Sequence, residues 1–158
     1  MEVHYSSKTN EWYTPQYLYE YLNKIYNFNL DPCCTEENRK CENYFTIEDD
    51  GLTKSWEGKN VFVNPPYGRE IGKWVEKSLN ESKLGATVVM LIPARTDTNY
   101  WHNFIFGKAS KIIFVKNRIK FGGSESGAPF PSAIIVFDNN SKHEIETMES
   151  KEELLWKQ

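Results

Sequence analysis

The stretch that most limits the possible folds is "GATVVMLIPA", a continuous apolar run bounded by Gly85 and Pro93. A short run of this kind, rich in β-branched residues and closed by glycine and proline, suits a strand buried on both faces. Such a strand needs helices to cover it, and the chain supplies them by alternation. Residues 15–26, "PQYLYEYLNKIY", carry Leu18, Leu22 and Ile25 at helical spacing, with Tyr21 beside them. Thr14 and Pro15 ahead of them predict a helix start, a capping hydroxyl followed by proline in the first turn. "FNLDP" reads as a short strand ending at Pro32, "TEENRKCEN" as one or two helical turns, and "YFTIEDDGL" as an extended piece closing in an acidic turn. "KNVFV" is a strand, and "REIGKWVEKSLNES" an amphipathic helix with Ile71, Trp74, Val75 and Leu79 on one side. "TNYWHNFIFG" predicts a helix closed by Gly107. "SKIIFV" and "PSAIIVFD" predict late strands, with "NRIKF" continuing extended and "GGSESGAPF" forming a flexible loop between them. Strands alternating with helices argue for an α/β architecture with a mostly parallel open sheet flanked by helices.

The 158 residues suit one domain, 1–158, with a core at about 10–138 and a polar tail at 139–158. No run of about 18 apolar residues exists, so no membrane span is expected. The start "MEVHYSSKTNEW" lacks the basic and apolar regions of a signal peptide, which makes a cytoplasmic location the default expectation. Cys33, Cys34 and Cys41 form neither an even disulfide framework nor a set at zinc-ligand spacing, so no metal is expected. His4, His102 and His143 have no acidic or cysteine partner at suggestive spacing. Trp12, Trp56, Trp74 and Trp101 suit core and lid packing. The net charge of −3 argues against a chain that grips nucleic acid by overall charge. A local ridge is another matter: Lys116, Arg118 and Lys120 alternate and would share one face of a strand, and Arg69, Lys73 and Arg95 follow strand-end corners. A solvated edge with gatekeeper charges is the competing reading.

In open α/β sheets, ligands bind beyond the carboxyl ends of the strands. Two polar corners fall there, "LDPCCT" and "VNPPYG". In the second, two prolines fix the backbone after Asn64. The Asn64 side-chain oxygen and the Pro65 carbonyl are two acceptors a short distance apart, which matches an exocyclic amine with two donors. Tyr67 supplies a flat face on which a planar base could stack. Two acceptors aimed at an aryl amine favour its pyramidal, reactive form, a stabilisation of the transition state.

"NPPY" in this setting resembles the catalytic motif of amino-methyltransferases acting on adenine N6. With "EWYTPQYLYEYL", "LDPCCTEENRKCENYFTIEDDGLTKSWEG" and "RIKFGG…APFPSAIIVF", the chain from about Asn10 to Phe137 resembles the phage-type DNA N-6-adenine-methyltransferase family, related to Dam. The resemblance implies a compact, Rossmann-like, S-adenosylmethionine-dependent methyltransferase fold. It implies methyl transfer from S-adenosyl-L-methionine to the N6 amine of a flipped-out adenine in DNA, by an enzyme encoded in a phage or prophage. Asn64, Pro65, Pro66 and Tyr67 match the catalytic motif. Asp31 and Pro32 match the first cofactor motif, Thr14 and Pro15 the segment that closes over the methionine end, and Asp49 and Asp50 an acidic pair, one of which would accept from the ribose or the adenine amine. Arg69, Lys116, Arg118 and Lys120 are the candidate DNA contacts. "DPCCTEEN" lacks the glycines common after the first strand of methyltransferases, and the short spacing from Asp31 to Asn64 implies a missing strand or helix. The corner would equally suit cytosine N4, adenine in RNA or a glutamine amide, and a nucleic-acid-binding module without turnover is the alternative from another class. A monomer and a homodimer are both compatible with the sequence.

Overall fold

A computed structural model describes residues 12–156. Five strands form one open sheet in the order β1–β2–β4–β3–β5, with β1 Asn60–Val63, β2 Thr87–Pro93, β3 Lys111–Val115, β4 Ser132–Phe137 and β5 Glu144–Met148. β1 runs parallel to β2 and β3 to β5, whereas β4 is antiparallel to both β2 and β3. Four strands therefore point one way, and β4 alone is reversed. Beyond β1 the sheet is extended by single bridges, Leu30 with Val61 and Asp31 with Tyr44. The strand expected at "FNLDP" is reduced to these bridges. Asparagines fasten the joint: Asn29 Oδ1 accepts from the Asn60 amide at 2.9 Å, and Asn60 Nδ2 donates to the Asn27 carbonyl at 3.2 Å.

β2 and β4 are apolar along nearly their whole length because both lie in the middle of the sheet with their side chains covered on each face. Helix α1, Gln16–Tyr26, and helix α2, Ile71–Lys83, provide cover. Leu18, Tyr19 and Leu22 of α1 are buried, as are Ile71, Trp74, Val75 and Leu79 of α2. α1 ends on Asn27 in the left-handed region, at φ 52. Its start differs from expectation. Pro15 is itself the N-cap and no side chain caps the helix, so the Thr14 hydroxyl is not used there. The helix expected over "TNYWHNFIFG" is shorter, residues 99–105, and Trp101–Ile105 within it is π-helical; 106–108 form a turn. Trp101 is buried and its indole donates to the Pro93 carbonyl at 3.3 Å.

Three other expectations change. "TEENRKCEN" makes hydrogen-bonded turns and no helix, so the chain from Pro32 to Lys59 crosses with only a 3-10 turn at Gly51–Thr53 and the bridge at Tyr44. "NRIKF" does not continue β3, because Asn117 adopts a left-handed conformation at φ 63. The segment read as a polar tail carries β5 and then helix α3, Glu152–Leu155, which packs on α1 through Trp156 against Tyr21.

Since β1, β2 and β3 are aligned, the segments that follow them emerge along one edge of the sheet. The reversal of β4 brings the loop between β3 and β4 to the same edge. That loop is pinned at its base: the Ala128 amide donates to the Ile119 carbonyl at 2.9 Å, and the Gly122 amide to the Tyr13 carbonyl at 3.0 Å. Between these points residues 122–127 are exposed.

Candidate active site

At this edge a cavity of about 930 Å³ is bounded by three loops and the strap that precedes α1. The first wall follows Leu30. Asp31 is buried, its Oδ2 accepting from the Lys40 amide at 3.0 Å and its Oδ1 from the Cys33 amide at 3.3 Å. Burial pushes this carboxyl up to about 6, against the two amides, which favour the charged form. Asp31 and Pro32 both line the cavity.

The second wall is the acidic turn. Asp49 Oδ2 accepts from the Thr46 amide at 2.9 Å and the Thr46 hydroxyl at 3.2 Å, and these bonds hold its carboxyl below the usual range. Asp49 is spent on closing its own turn and is not among the lining residues, whereas Asp50 lines the cavity. Of the acidic pair, Asp50 alone is therefore part of the cavity wall. Gly51 explains how this turn seats against the first wall. A Cβ at that position would lie 2.1 Å from the carbonyl oxygen of Pro32, a backbone atom with no freedom to swing away. The Gly51 carbonyl in turn accepts from the buried Trp56 indole at 3.0 Å. The sequence reading missed Gly51. Its place directly after the two aspartates was the available signal.

The third wall is "VNPPYG". β1 ends at Val63, and the prolines prevent the chain from pairing further. Asn64, Pro65 and Pro66 line the cavity. Asn64 Nδ2 donates to the Thr14 hydroxyl at 2.9 Å and also to the Trp12 carbonyl. A carbonyl partner needs a donor, so the orientation of the amide follows from chemistry. Its Oδ1 is left buried and has no hydrogen-bond partner among the described residues. Such an acceptor is destabilising by about 1–3 kcal/mol until a donor reaches it.

Tyr67 does not occupy the position its motif suggested. It is buried, its hydroxyl donates to the Leu91 carbonyl at 2.9 Å, and it is absent from the cavity lining. The rings of Phe121 and Phe130 meet it edge-on, at 6.3 Å and 5.5 Å between centroids. Burial raises its phenol well above the ordinary value. In this conformation Tyr67 braces the corner from behind and offers no face for stacking.

The strap, residues 12–14, crosses in front of the corner. Trp12 packs edge-on against Phe121 and Phe130, while Trp12, Tyr13 and Thr14 all line the cavity. Pro15 does not, and serves to start α1. Six carboxylates line the cavity (Asp31, Glu36, Glu37, Glu48, Asp50 and Glu70) against two cations, Arg39 and Lys40, so its field favours a cationic ligand. The exposed Ile47, also in the lining, adds an apolar surface.

The cations outside the cavity have a different distribution. Arg69 follows β1, Arg95 follows β2, and Lys116, Arg118 and Lys120 follow β3; all five are exposed at the edge where these strands end. The alternating ridge is broken by the turn at Asn117. Lys116 lies 3.8 Å from Glu149, and Arg118 donates to the Ala128 carbonyl at 3.3 Å. Among the described residues there is no cluster of ligands able to hold a metal ion, and no helix is long and apolar enough to cross a membrane.

Residues 4–157 match the family model described as DNA N-6-adenine-methyltransferase (Dam). A DNA N-6-adenine-methyltransferase of Haemophilus phage HP1 is 34% identical over 136 residues, covering 80% of this chain and 78% of that protein. One from Escherichia phage T1 is 34% identical over 108 residues, 66% of this chain and 44% of that longer protein. Among solved structures, one described as a class I S-adenosylmethionine-dependent methyltransferase from Listeria monocytogenes superposes with a TM-score of 0.58 at 13% identity, covering 91% of this chain and 67% of that one.

Proposed function

The chain belongs to the DNA N-6-adenine-methyltransferase (Dam) family, and on that premise we propose that it methylates the N6 amine of adenine in DNA at the corner formed by Asn64 and Pro65. S-adenosylmethionine, when bound, supplies an electrophilic methyl group on a sulfonium, so a neutral amine can be methylated by direct displacement without a covalent enzyme intermediate. The residues present fit that cofactor. The cavity is large enough, it is lined by acid toward a cation, and Gly51 keeps its two cofactor-side walls in contact. Asp31 and Asp50 are the acceptors for the cofactor's hydroxyl and amine donors. Thr14 and the rest of the strap bound its open side.

The observation that carries the reading is the buried Asn64 Oδ1 without a partner. An adenine amine brings the missing donor. The Pro65 carbonyl is the second acceptor, and together they favour the pyramidal nitrogen of the transition state. N6 gains the methyl group and releases one proton to solvent. Adenine in a duplex must leave the stack to reach this edge. Arg69, Arg95, Arg118 and Lys120, exposed at the strand ends, are the groups for holding its phosphates. The relatives from two phages support a phage-encoded enzyme acting in a bacterial host.

The test is methyl transfer from S-adenosylmethionine to DNA, read by mass spectrometry of the nucleosides. N6-methyladenine is expected, and N4-methylcytosine alone would replace the assigned acceptor. Asn64→Ala should still bind the cofactor by calorimetry, with single-turnover methylation slowed about a hundredfold or more. An undiminished rate in this variant reduces the corner to a structural turn.

A further inference from the structure

We infer that the strap is the positioning element for the Asn64 amide, and that Thr14 acts in methyl transfer through Asn64. This rests on the reading of the corner given above. An asparagine amide has two ends of nearly equal shape, and a flip would present two donors to the incoming amine, which would repel it. Nothing within "VNPPYG" prevents that flip. What prevents it is sequence-distant: the Thr14 hydroxyl and the Trp12 carbonyl both accept from Nδ2 and so fix Oδ1 on the other side. Thr14 is itself buried, and Trp12 is wedged against Phe121 and Phe130, so the two acceptors are held by packing. The same three strap residues line the cavity. The strap in this position therefore prepares the acceptor for the target amine, and the cofactor pocket and the amine site share one structural element.

The geometry also accounts for the unused cap of α1. Thr14 precedes Pro15 where a capping hydroxyl is expected, yet no side chain caps the helix. The hydroxyl is committed to Asn64.

Thr14→Val keeps the shape and removes the acceptor. At saturating S-adenosylmethionine and DNA, its single-turnover rate should fall about tenfold, the equivalent of one ordinary hydrogen bond. Thr14→Ser should recover most of that loss. In an Asn64→Ala background, Thr14→Val should cause no further drop, because the residue it acts through is gone. An equal drop in both backgrounds, or none in either, overturns the inference. A second readout needs neither turnover nor the valine variant to fold. In the ¹⁵N spectrum of the wild-type protein without DNA, the Asn64 side-chain NH2 signals, assigned by their loss in Asn64→Ala, should exchange slowly with water. Exchange as fast as that of exposed asparagines also overturns it. If the wild-type protein forms no methyladenine while these signals are protected, the proposed function fails and the amide orientation stands.

Discussion

Asp31 ties the fold and the ligand to pH in opposite directions. Its folded-state pKa of about 6 lies above the ordinary value, with burial as the main cause. The fold thus favours the neutral carboxyl. That contribution is full below about pH 4 and is lost as pH rises through about 6. A cofactor that donates to Asp31 favours the ionised form instead. From pH 5 to 7, stability measured by urea unfolding should fall while affinity for S-adenosylmethionine measured by calorimetry rises, and Asp31→Asn should flatten both trends. Affinity that stays level in the wild type across this window would exclude Asp31 as an acceptor. Tyr67 gives a second prediction. Tyr67→Phe removes the bond to the Leu91 carbonyl and keeps the ring contacts, so it should cost about 1 kcal/mol of stability and leave cofactor affinity unchanged. The position of Asn64 at a strand-end corner was legible in the sequence because the prolines after it stop the strand. The burial of Tyr67 was not legible because Phe121 and Phe130, which pack on it, arrive from a distant loop.

At the scale of elements, the two long helices were legible because their apolar residues recur with the helical period and face one sheet. β5 was not. Its sequence, "EIETM", is charged and mostly exposed, with Ile145 open to solvent, and it pairs only along one edge. Nothing local distinguishes it from a polar tail. The extension of β3 failed for the opposite reason, since its alternation was regular and one left-handed asparagine ended the strand. The contact between the loops that carry Pro32 and Gly51 is where a small change should have the largest effect. Gly51→Ala places a methyl group against the Pro32 carbonyl, and overpacking of this kind typically costs about 1–3 kcal/mol. We expect a lowered melting temperature together with weakened S-adenosylmethionine binding. Normal affinity in a folded variant would show that the two loops can separate without loss of the cavity.

Over the whole molecule, acid lines the cavity and exposed cations follow the aligned strands, within a chain of net charge −3. Overall charge hides this division. Neutralising two of Arg69, Arg95 and Lys120 should lower the salt slope of DNA binding by about two units if both touch phosphate. Neutralising Lys116, already beside Glu149, serves as the control and should leave the slope nearly unchanged. The alternation of strands and helices fixed the α/β class from sequence. The reversal of β4 escaped it, because an apolar strand in the middle of a sheet carries no local mark of its direction.

That reversal makes the edge of the sheet a natural place for growth. The loop of residues 122–127 enters and leaves through the bonds at Gly122 and Ala128, so its length is uncoupled from the strands on either side. Doubling a flexible loop costs only about 0.6 kcal/mol in closure entropy. Extra residues spliced between Ser124 and Glu125 should leave the melting temperature almost as it is. The fold thereby provides a graft point on the edge that carries the cavity, where a recognition module can be acquired or lost without rebuilding the sheet.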